Sequence, residues 1–568
     1  MSRRNEEEQQ GEQEGAGEWG PSHQRMDAPT RTDSHIPSTI AGVIGLLFLL
    51  GLVRIVLGNY VGVGNHGLFG WLIAAIVVLG GGWLLITVLM SALTRPPRAP
   101  VHPNPRTARP SPRSPNIEPS PTPAALARQR IQRAGGGAYL GLSLSGEWLT
   151  ANPRHQVGVI GAPQSGKTTG LIVPGIAGSS GAVISASTKP DVMQATVRAR
   201  SEIGQAWLFD PAGKEKVLPD GVRRLNWSPV AAAVTWDEAL LMAAAMTSAA
   251  RPGTGTTDAS HWTERAEALL APLLYAANQS DRTIGDVLEW ILHKDLDPAL
   301  QVLRDCDAKM AIAVLVGIEG TDSREKSSIF SATAGVLAAY RSDAVRASAA
   351  EPNFDPVRFA LSNDTIYITS PEEYQRLAAP LIVGILEQVR QAVYMLVARG
   401  EMPAVMQWFV DEFTNIAPIV DPVGLLSQAG GQMLHVELGF QDVAQIRARY
   451  GDAVADAFLT LLQTIVLLPG NRDTRTLEAI SLALGEYDRE MVSQSLGHSE
   501  PQEWLASSTD SDTVNYQTQR QRVLTPGDIA GLPKGHALLL QGMDWQLVKL
   551  TNWRETEPWR TIAGPDAL

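Results

Sequence analysis

The pattern of apolar and polar positions divides the chain into four regimes. Residues 1–35 are polar and rich in Glu, Gln and Gly, too poor in apolar surface to fold, and they predict a disordered tail. Two long apolar runs follow, Ile40–Leu57 (IAGVIGLLFLLGLVRIVL) and Leu68–Leu93 (LFGWLIAAIVVLGGGWLLITVLMSAL). A helix of about 20 apolar residues crosses a bilayer core. Residues 36–93 therefore predict a two-helix transmembrane hairpin; a pair of buried core helices is the alternative, which lengths and flanks disfavour. Arg54 lies near the end of the first run and can snorkel to the interface. Trp71, Trp83 and the Gly80–Gly82 run suit interfacial anchoring and close helix packing. The intervening loop 58–67 has no Lys or Arg, whereas Arg3, Arg4, Arg25 and Arg31 precede the runs and Arg95, Arg98, Arg106, Arg109 and Arg113 follow them. The positive-inside rule then puts both termini in the cytoplasm, which makes the segment a two-pass anchor. No secretory signal peptide fits, because the first apolar run starts late and lacks a small-residue cleavage site.

Residues 94–134 predict a linker, since eleven prolines fall between Pro96 and Pro123 with Arg and Ser among them. From about Gly135 short apolar runs alternate with amphipathic stretches, the pattern of an α/β domain. Val157–Gly161, Gly181–Ser185, Ala206–Phe209, Thr365–Thr369, Ala404–Val410, Leu434–Gly439 and Ile465–Pro469 read as buried strands. Strand signals thin out over 236–350, where Ala- and Leu-rich helical stretches such as His261–Ala277 predict an all-α insertion. The α/β domain then comprises 135–235 and 351–568, with a polar stretch from about Glu500 and a last strand-like run at Ala537–Leu540.

Composition narrows the classes. With 44% apolar and 19% charged residues, a wholly disordered or collagen-like chain is excluded. The single cysteine, Cys306, excludes a disulfide framework and a thiolate cluster. The ten histidines show no HExxH-like spacing, so no zinc is expected. A net charge of −12 excludes a uniformly basic nucleic-acid binder but not local basic loops.

Chemistry concentrates in two segments. Val157–Ile160 reads as a strand that runs into Gly161, Ala162, Pro163, Gln164, Ser165, Gly166, Lys167, Thr168 and Thr169, then a helix. GxxxxGK[ST] between a strand and a helix is the P-loop pattern. Its glycines let backbone N–H groups close on phosphate, Lys167 reaches the β- and γ-phosphates, and the Thr168 hydroxyl ligates Mg²⁺. Ala404–Val410 is an apolar strand ending in Asp411-Glu412. Following a P-loop, that pair puts Asp411 beside the Mg²⁺ and Glu412 where it polarises the attacking water, which favours ATP hydrolysis over a GTP switch. Gln441, at the tip of the Leu434–Gly439 strand, is either a γ-phosphate sensor, as in RecA-like motors, or an ordinary strand-end amide.

Beyond these shared features, the chain resembles the type IV secretion coupling proteins, the membrane-anchored ATPases of bacterial conjugation. The resemblance runs from the two-helix anchor to about residue 545. It rests on GAPQSGKTTGLIVP (161–174), VISASTKPDV (183–192), WLFDPAG (207–213), LNWSPV (225–230), HWTERAEALL (261–270), FVDEFTNIAPI (409–419), GFQDVAQIRARYG (439–451) and LPGNRDTRTLEAISLALGE (468–486). The resemblance implies a RecA-like P-loop NTPase domain with an inserted all-α domain, ATP and Mg²⁺ as cofactors, and a homo-hexameric ring with DNA in its channel. It also implies a relaxase or relaxosome and inner-membrane type IV secretion channel components as partners. Two departures stand out. STKPD replaces the family's frequent DPKGE, so Lys189 matches but Thr188 stands where the acid would be. The family usually carries an arginine shortly before the sensor strand, where this chain has Ser427-Gln-Ala-Gly-Gly-Gln. Arg154 and Arg472 are positional substitutes for an arginine finger, and a surface salt bridge is the other role open to each.

The function implied is coupling ATP hydrolysis to the transfer of relaxase-bound single-stranded DNA into a type IV secretion channel. Three alternatives stay open: a coupling ATPase that recruits protein substrates, a double-stranded DNA pump of the cell-division type, and a scaffold that binds ATP without turnover. The pump would carry more membrane helices and a basic C-terminal module, and an intact Glu412 argues against the scaffold.

Overall fold

The computed structural model describes residues 120–215, 217–250, 257–499, 509–542 and 544–567. The tail 1–35 and the apolar hairpin 36–93 lie outside the described residues. The expected linker 94–134 runs too far. Pro123–Ala134 is an α-helix: Thr122 accepts from Ala125 N, Pro123 opens the first turn, and Ala124, Ala127 and Ile131 are buried. Arg128 pins the helix to Glu202 at 2.8 Å.

The apolar runs become strands covered on both faces, as parallel strands flanked by helices must be. In chain order the strands are β1 (Tyr139–Ser143), β2 (Trp148–Thr150), β3 (Val157–Ile160), β4 (Val183–Ser187), β5 (Ala206–Phe209), β6 (Val222–Arg224), β7 (Thr365–Thr369), β8 (Met406–Val410), β9 (Leu434–Phe440), β10 (Thr464–Leu467), β11 (Glu486–Ser499), β12 (Thr509–Arg522), β13 (His536–Gln541) and β14 (Asp544–Lys549). All but β11 and β12 form one sheet in the order β2-β1-β14-β13-β10-β3-β9-β8-β4-β7-β5-β6. From β10 to β6 every neighbouring pair is parallel. The β13, β14, β1 and β2 edge is antiparallel. The expected Ala206–Phe209 and Thr365–Thr369 strands are found as such; the others shift by a residue or two. β4 starts at Val183 rather than Gly181 because the chain at Gly181 passes the Val405 carbonyl, where a Cβ would lie only 2.8 Å from its oxygen.

One face of the sheet packs on helices Gln375–Ala398, Trp236–Ala250, Val443–Tyr450 and Asp452–Leu461 around a large apolar cluster. Gln375–Ala398 lies in a segment, Glu372–Ala398, long and apolar enough to cross a membrane, but its burial is that of a core helix. Helix Trp236–Ala250 docks on it through the small side chains Ala245, Ala249, Ala379 and Val383. The opposite face packs on the helix after β3, on Asp191–Ser201 and on the terminal helices Pro123–Ala134 and Trp559–Ala563. Arg200, wholly buried there, donates to the carbonyls of Ser179, Gly181 (2.7 Å) and Asn363 (2.8 Å) and to Thr365 Oγ1 (2.7 Å), tying together the segments that lead into β4 and β7. The described residues between 236 and 350 form helices and turns without a strand. β11 and β12 pair only with each other, in an antiparallel ribbon running from Glu486↔Arg522 to Ser499↔Thr509.

Candidate active site

The site forms where the central parallel strands end, the usual ligand edge of such a sheet. Ile160 of β3 is level with Phe440 of β9 and Leu467 of β10, so Gly161, Gln441 and Leu468 leave the sheet together. Gly161 N donates to the Phe440 carbonyl at 3.1 Å, and Leu468 N to the Ile160 carbonyl at 2.8 Å. A Cβ on Gly161 would sit 2.5 Å from Ser165 Oγ and 2.9 Å from Leu468 Cβ, so the loop closes only around glycine. The chain turns through Gln164 (φ 61°) and Gly166 (φ 102°) into a wide π-helical turn, Thr168–Ile172, then the α-helix Val173–Gly178. Pro174 has no N–H to give and its ring presses on the carbonyl four residues back, which suits the wider turn before it.

Lys167 is buried, and its Nζ donates to the carbonyls of Gly161 (2.6 Å) and Ala162 (3.3 Å). Burial lowers its pKa, opposed by the charges of Asp411 and Glu412. β8 delivers Asp411, whose N–H donates to the Ala186 carbonyl of β4 at 2.9 Å. Thr168 Oγ1 donates to Asp411 Oδ2 at 2.7 Å, joining the P-loop helix to β8. Burial raises the Asp411 pKa, while the Thr168 hydrogen bond and Lys167 pull it down. β9 separates β3 from β8, and its Gly439 leaves room: a Cβ there would lie 3.3 Å from Asp411 Oδ1.

Glu412 is a half-buried residue in the left-handed region (φ 60°, ψ 53°) and precedes the short helix Phe413–Ile416. For a residue with a Cβ this conformation costs of order 1–3 kcal/mol and persists where the surroundings hold it. Phe413 is held between Tyr450 and Phe458, at centroid distances of 5.9 and 6.0 Å. Gln441 is half-buried; its N–H donates to Gln445 Oε1 at 3.4 Å, and its carbonyl accepts from Asn471 Nδ2 at 3.1 Å.

The structure thus brings together Gly161 to Thr169, Asp411, Glu412 and Gln441. Arg472 is exposed at the same edge, beside the buried Asn471. Arg154 is exposed at the opposite end of β3, within this chain away from the loop; its carbonyl underlies Gly430, where a Cβ would approach it to 2.1 Å. No motif spacing singles out Asn471 or Glu437. Glu437, on β9, is fully buried with neither carboxyl oxygen hydrogen-bonded, and burial together with Asp411 pushes it up to about 8. Gln445 stands four residues after Gln441, a spacing visible in the sequence without its contacts.

The residues present fit a nucleotide with Mg²⁺. The Gly161 cradle has no space for a side chain, Ser165 Oγ is buried with no hydrogen-bond partner, and Lys167 holds its ammonium on loop carbonyls. Among the described residues no three His, Cys, Asp or Glu side chains group as a self-sufficient metal cage. Mg²⁺ needs none, since it takes one or two protein oxygens and fills its shell with phosphate and water. Thr168 Oγ1 and Asp411 Oδ2, 2.7 Å apart, are two oxygens of the kind such a site would use.

Residues 127–544 match the family described as type IV secretory system conjugative DNA transfer. Among curated proteins, none matches the chain. Solved structures share the fold. The bacterial conjugative coupling protein TrwBdeltaN70 in its unbound monoclinic form is 19% identical over 72% of this chain and 88% of that one, with a TM-score of 0.54. The plasmid coupling protein TrwB in complex with ADP and Mg²⁺ is 19% identical over 75% and 91%, with a TM-score of 0.54. TrwB in complex with a non-hydrolysable ATP analogue is 18% identical over 75% and 92%, with a TM-score of 0.53.

Proposed function

The chain belongs to the type IV secretory system conjugative DNA transfer family, and from that premise we propose that it is a membrane-anchored ATPase. It couples hydrolysis to the passage of relaxase-bound DNA into a type IV secretion channel. In this reading residues 135–235 and 351–568 are the RecA-like motor, 236–350 is the all-α domain that meets cargo, and 36–93 anchors a homo-hexamer in the inner membrane.

The observation that carries the reading is the 2.7 Å contact between Thr168 Oγ1 and Asp411 Oδ2, with Glu412 next in the chain. Bound Mg²⁺–ATP supplies the phosphoanhydride to be cleaved, as ADP with Mg²⁺ and an ATP analogue are bound by TrwB. Lys167 exchanges the Gly161 and Ala162 carbonyls for phosphate oxygens. Thr168 and Asp411 would hold the Mg²⁺, which would offset the charge on the phosphates. Glu412 takes the proton of the attacking water, and the Gln441 side chain reports whether the terminal phosphate is present. Arg472, exposed at the edge of this chain's own site, is the arginine that a ring could offer to a neighbouring subunit's nucleotide. Arg154, at the far end of β3, would serve only a different subunit's site.

Steady-state ATP hydrolysis by the full chain tests the reading, measured alone and with single-stranded DNA, double-stranded DNA or candidate protein cargo. Stimulation by single-stranded DNA is expected, and it should weaken with salt, as backbone contacts do. Stimulation by protein alone favours the protein-secretion alternative; stimulation by double strands alone favours a duplex pump.

A further inference from the structure

Helix Val443–Tyr450 starts directly behind Gln441 and has no part in the chemistry above. Gln445 and Arg449 stand four apart within the helix, the spacing that keeps helical residues on one face, and Gln441 precedes the helix by two residues. Gln445 Oε1 accepts twice, from Thr414 Oγ1 at 3.3 Å and from the Gln441 N–H at 3.4 Å. Thr414 is buried and lies two residues after Glu412. One amide oxygen thus spans the turn that carries Glu412 and the strand tip that carries Gln441. Asp442 caps the helix, its Oδ1 accepting from Gln445 N at 3.0 Å, so the amide is presented from a fixed backbone.

One turn further on, Arg449 Nη2 donates to the carbonyls of Ala249 (3.0 Å) and Ser248 (3.4 Å). These lie in the last turn of helix Trp236–Ala250, and a cation on terminal carbonyls is a favourable cap. Next to it, Tyr450 donates its hydroxyl to the Ile419 carbonyl at 3.0 Å and stacks on Phe413. The helix therefore grips the segment around Glu412 from both of its own ends and the first helix of the 236–350 region from one.

We infer that Gln445 is a positioning residue that sets the separation of Glu412 from Gln441, and that Arg449 makes this separation answer to helix Trp236–Ala250. A displacement of the helical region by whatever it binds is carried along helix Val443–Tyr450 to the hydrolysis turn. The inference rests on the reading of Glu412 and Gln441 as hydrolytic groups.

The test uses the full chain. Gln445→Ala lowers kcat by about ten- to a hundredfold, the effect of misplacing a reacting group by about 1 Å, while KM for ATP stays near the parent value because the P-loop is untouched. Gln445→Glu, whose carboxylate accepts from the same two donors, recovers most of kcat. In a second measurement, a non-hydrolysable ATP analogue alters amide hydrogen exchange across residues 236–250 of the parent, and Arg449→Ala abolishes that response while Arg449→Lys keeps part of it. A parental kcat in Gln445→Ala, or an undiminished exchange response in Arg449→Ala, overturns the inference. A parent that neither hydrolyses ATP nor responds to the analogue overturns the functional reading itself, and the inference falls with it.

Discussion

In the proposed reading, Lys167 and Glu412 divide the work of the site between charge and proton transfer. No other cation of the loop can take over from Lys167, so Lys167→Ala should abolish ATP turnover, read as phosphate release by the full chain. Normal turnover would remove Lys167 from the site. Glu437 makes a pH prediction. An unfolded glutamate titrates near 4.3, whereas Glu437 in the fold titrates at about 8 because burial and Asp411 disfavour its charge. Between those values the folded chain holds a proton that the unfolded chain has released. The neutral carboxyl is therefore compatible with full stability below pH ~4.3, and stability declines as pH rises toward 8. Glu437→Gln has no proton to lose, so its melting temperature should gain on the parent by several degrees between pH 5 and pH 8. Parallel melting curves across that range would mean that Glu437 is already ionised.

Elements were legible where burial imposes continuous apolar runs. Val157–Ile160, Thr365–Thr369 and Met406–Val410 are covered on both faces, and their sequences carry little else to read. The ribbon of β11 and β12 was not legible: EYDREM puts charged and apolar residues in irregular order, and the side chains from Glu486 to Val492 are all exposed. The helix Pro123–Ala134 was masked by the prolines before it, since Pro123 at its first position reads equally as the end of a linker. At the site, GxxxxGKT and the strand ending in Asp411-Glu412 were visible as local patterns. The Gln445 and Asn471 contacts join segments about 30 residues apart and leave no local trace. Packing between elements also makes a prediction. A Cβ on Gly175 would lie 2.6 Å from the Phe409 ring, because the P-loop helix lies directly on β8. Gly175→Ala should destabilise the fold by about 1–3 kcal/mol through overpacking. Thermal melting checks this, and an unchanged melting temperature would mean that the helix and β8 are free to separate.

At the scale of the whole molecule, the strand order sets the site. β9 between β3 and β8 brings three segments to one edge: the Gly161–Thr169 loop, the Asp411-Glu412 turn and the Gln441 tip. The helical region attaches through helix Trp236–Ala250 to Gln375–Ala398 and, by way of Arg449, to the helix that follows β9. The proposed motor needs such a connection, since hydrolysis would be useful only if the cargo side felt it. If Glu412 is the general base, its loss separates nucleotide binding from nucleotide cleavage, and bound nucleotide reports this most directly. The full chain and its Glu412→Gln variant are incubated with Mg²⁺–ATP, separated rapidly from free nucleotide, and their bound nucleotide is identified. ADP is expected on the parent and intact ATP on the variant, with cleavage slowed by about 10²–10⁴-fold through loss of a general base. Equal amounts of ADP on both would contradict that role and assign the base to another residue.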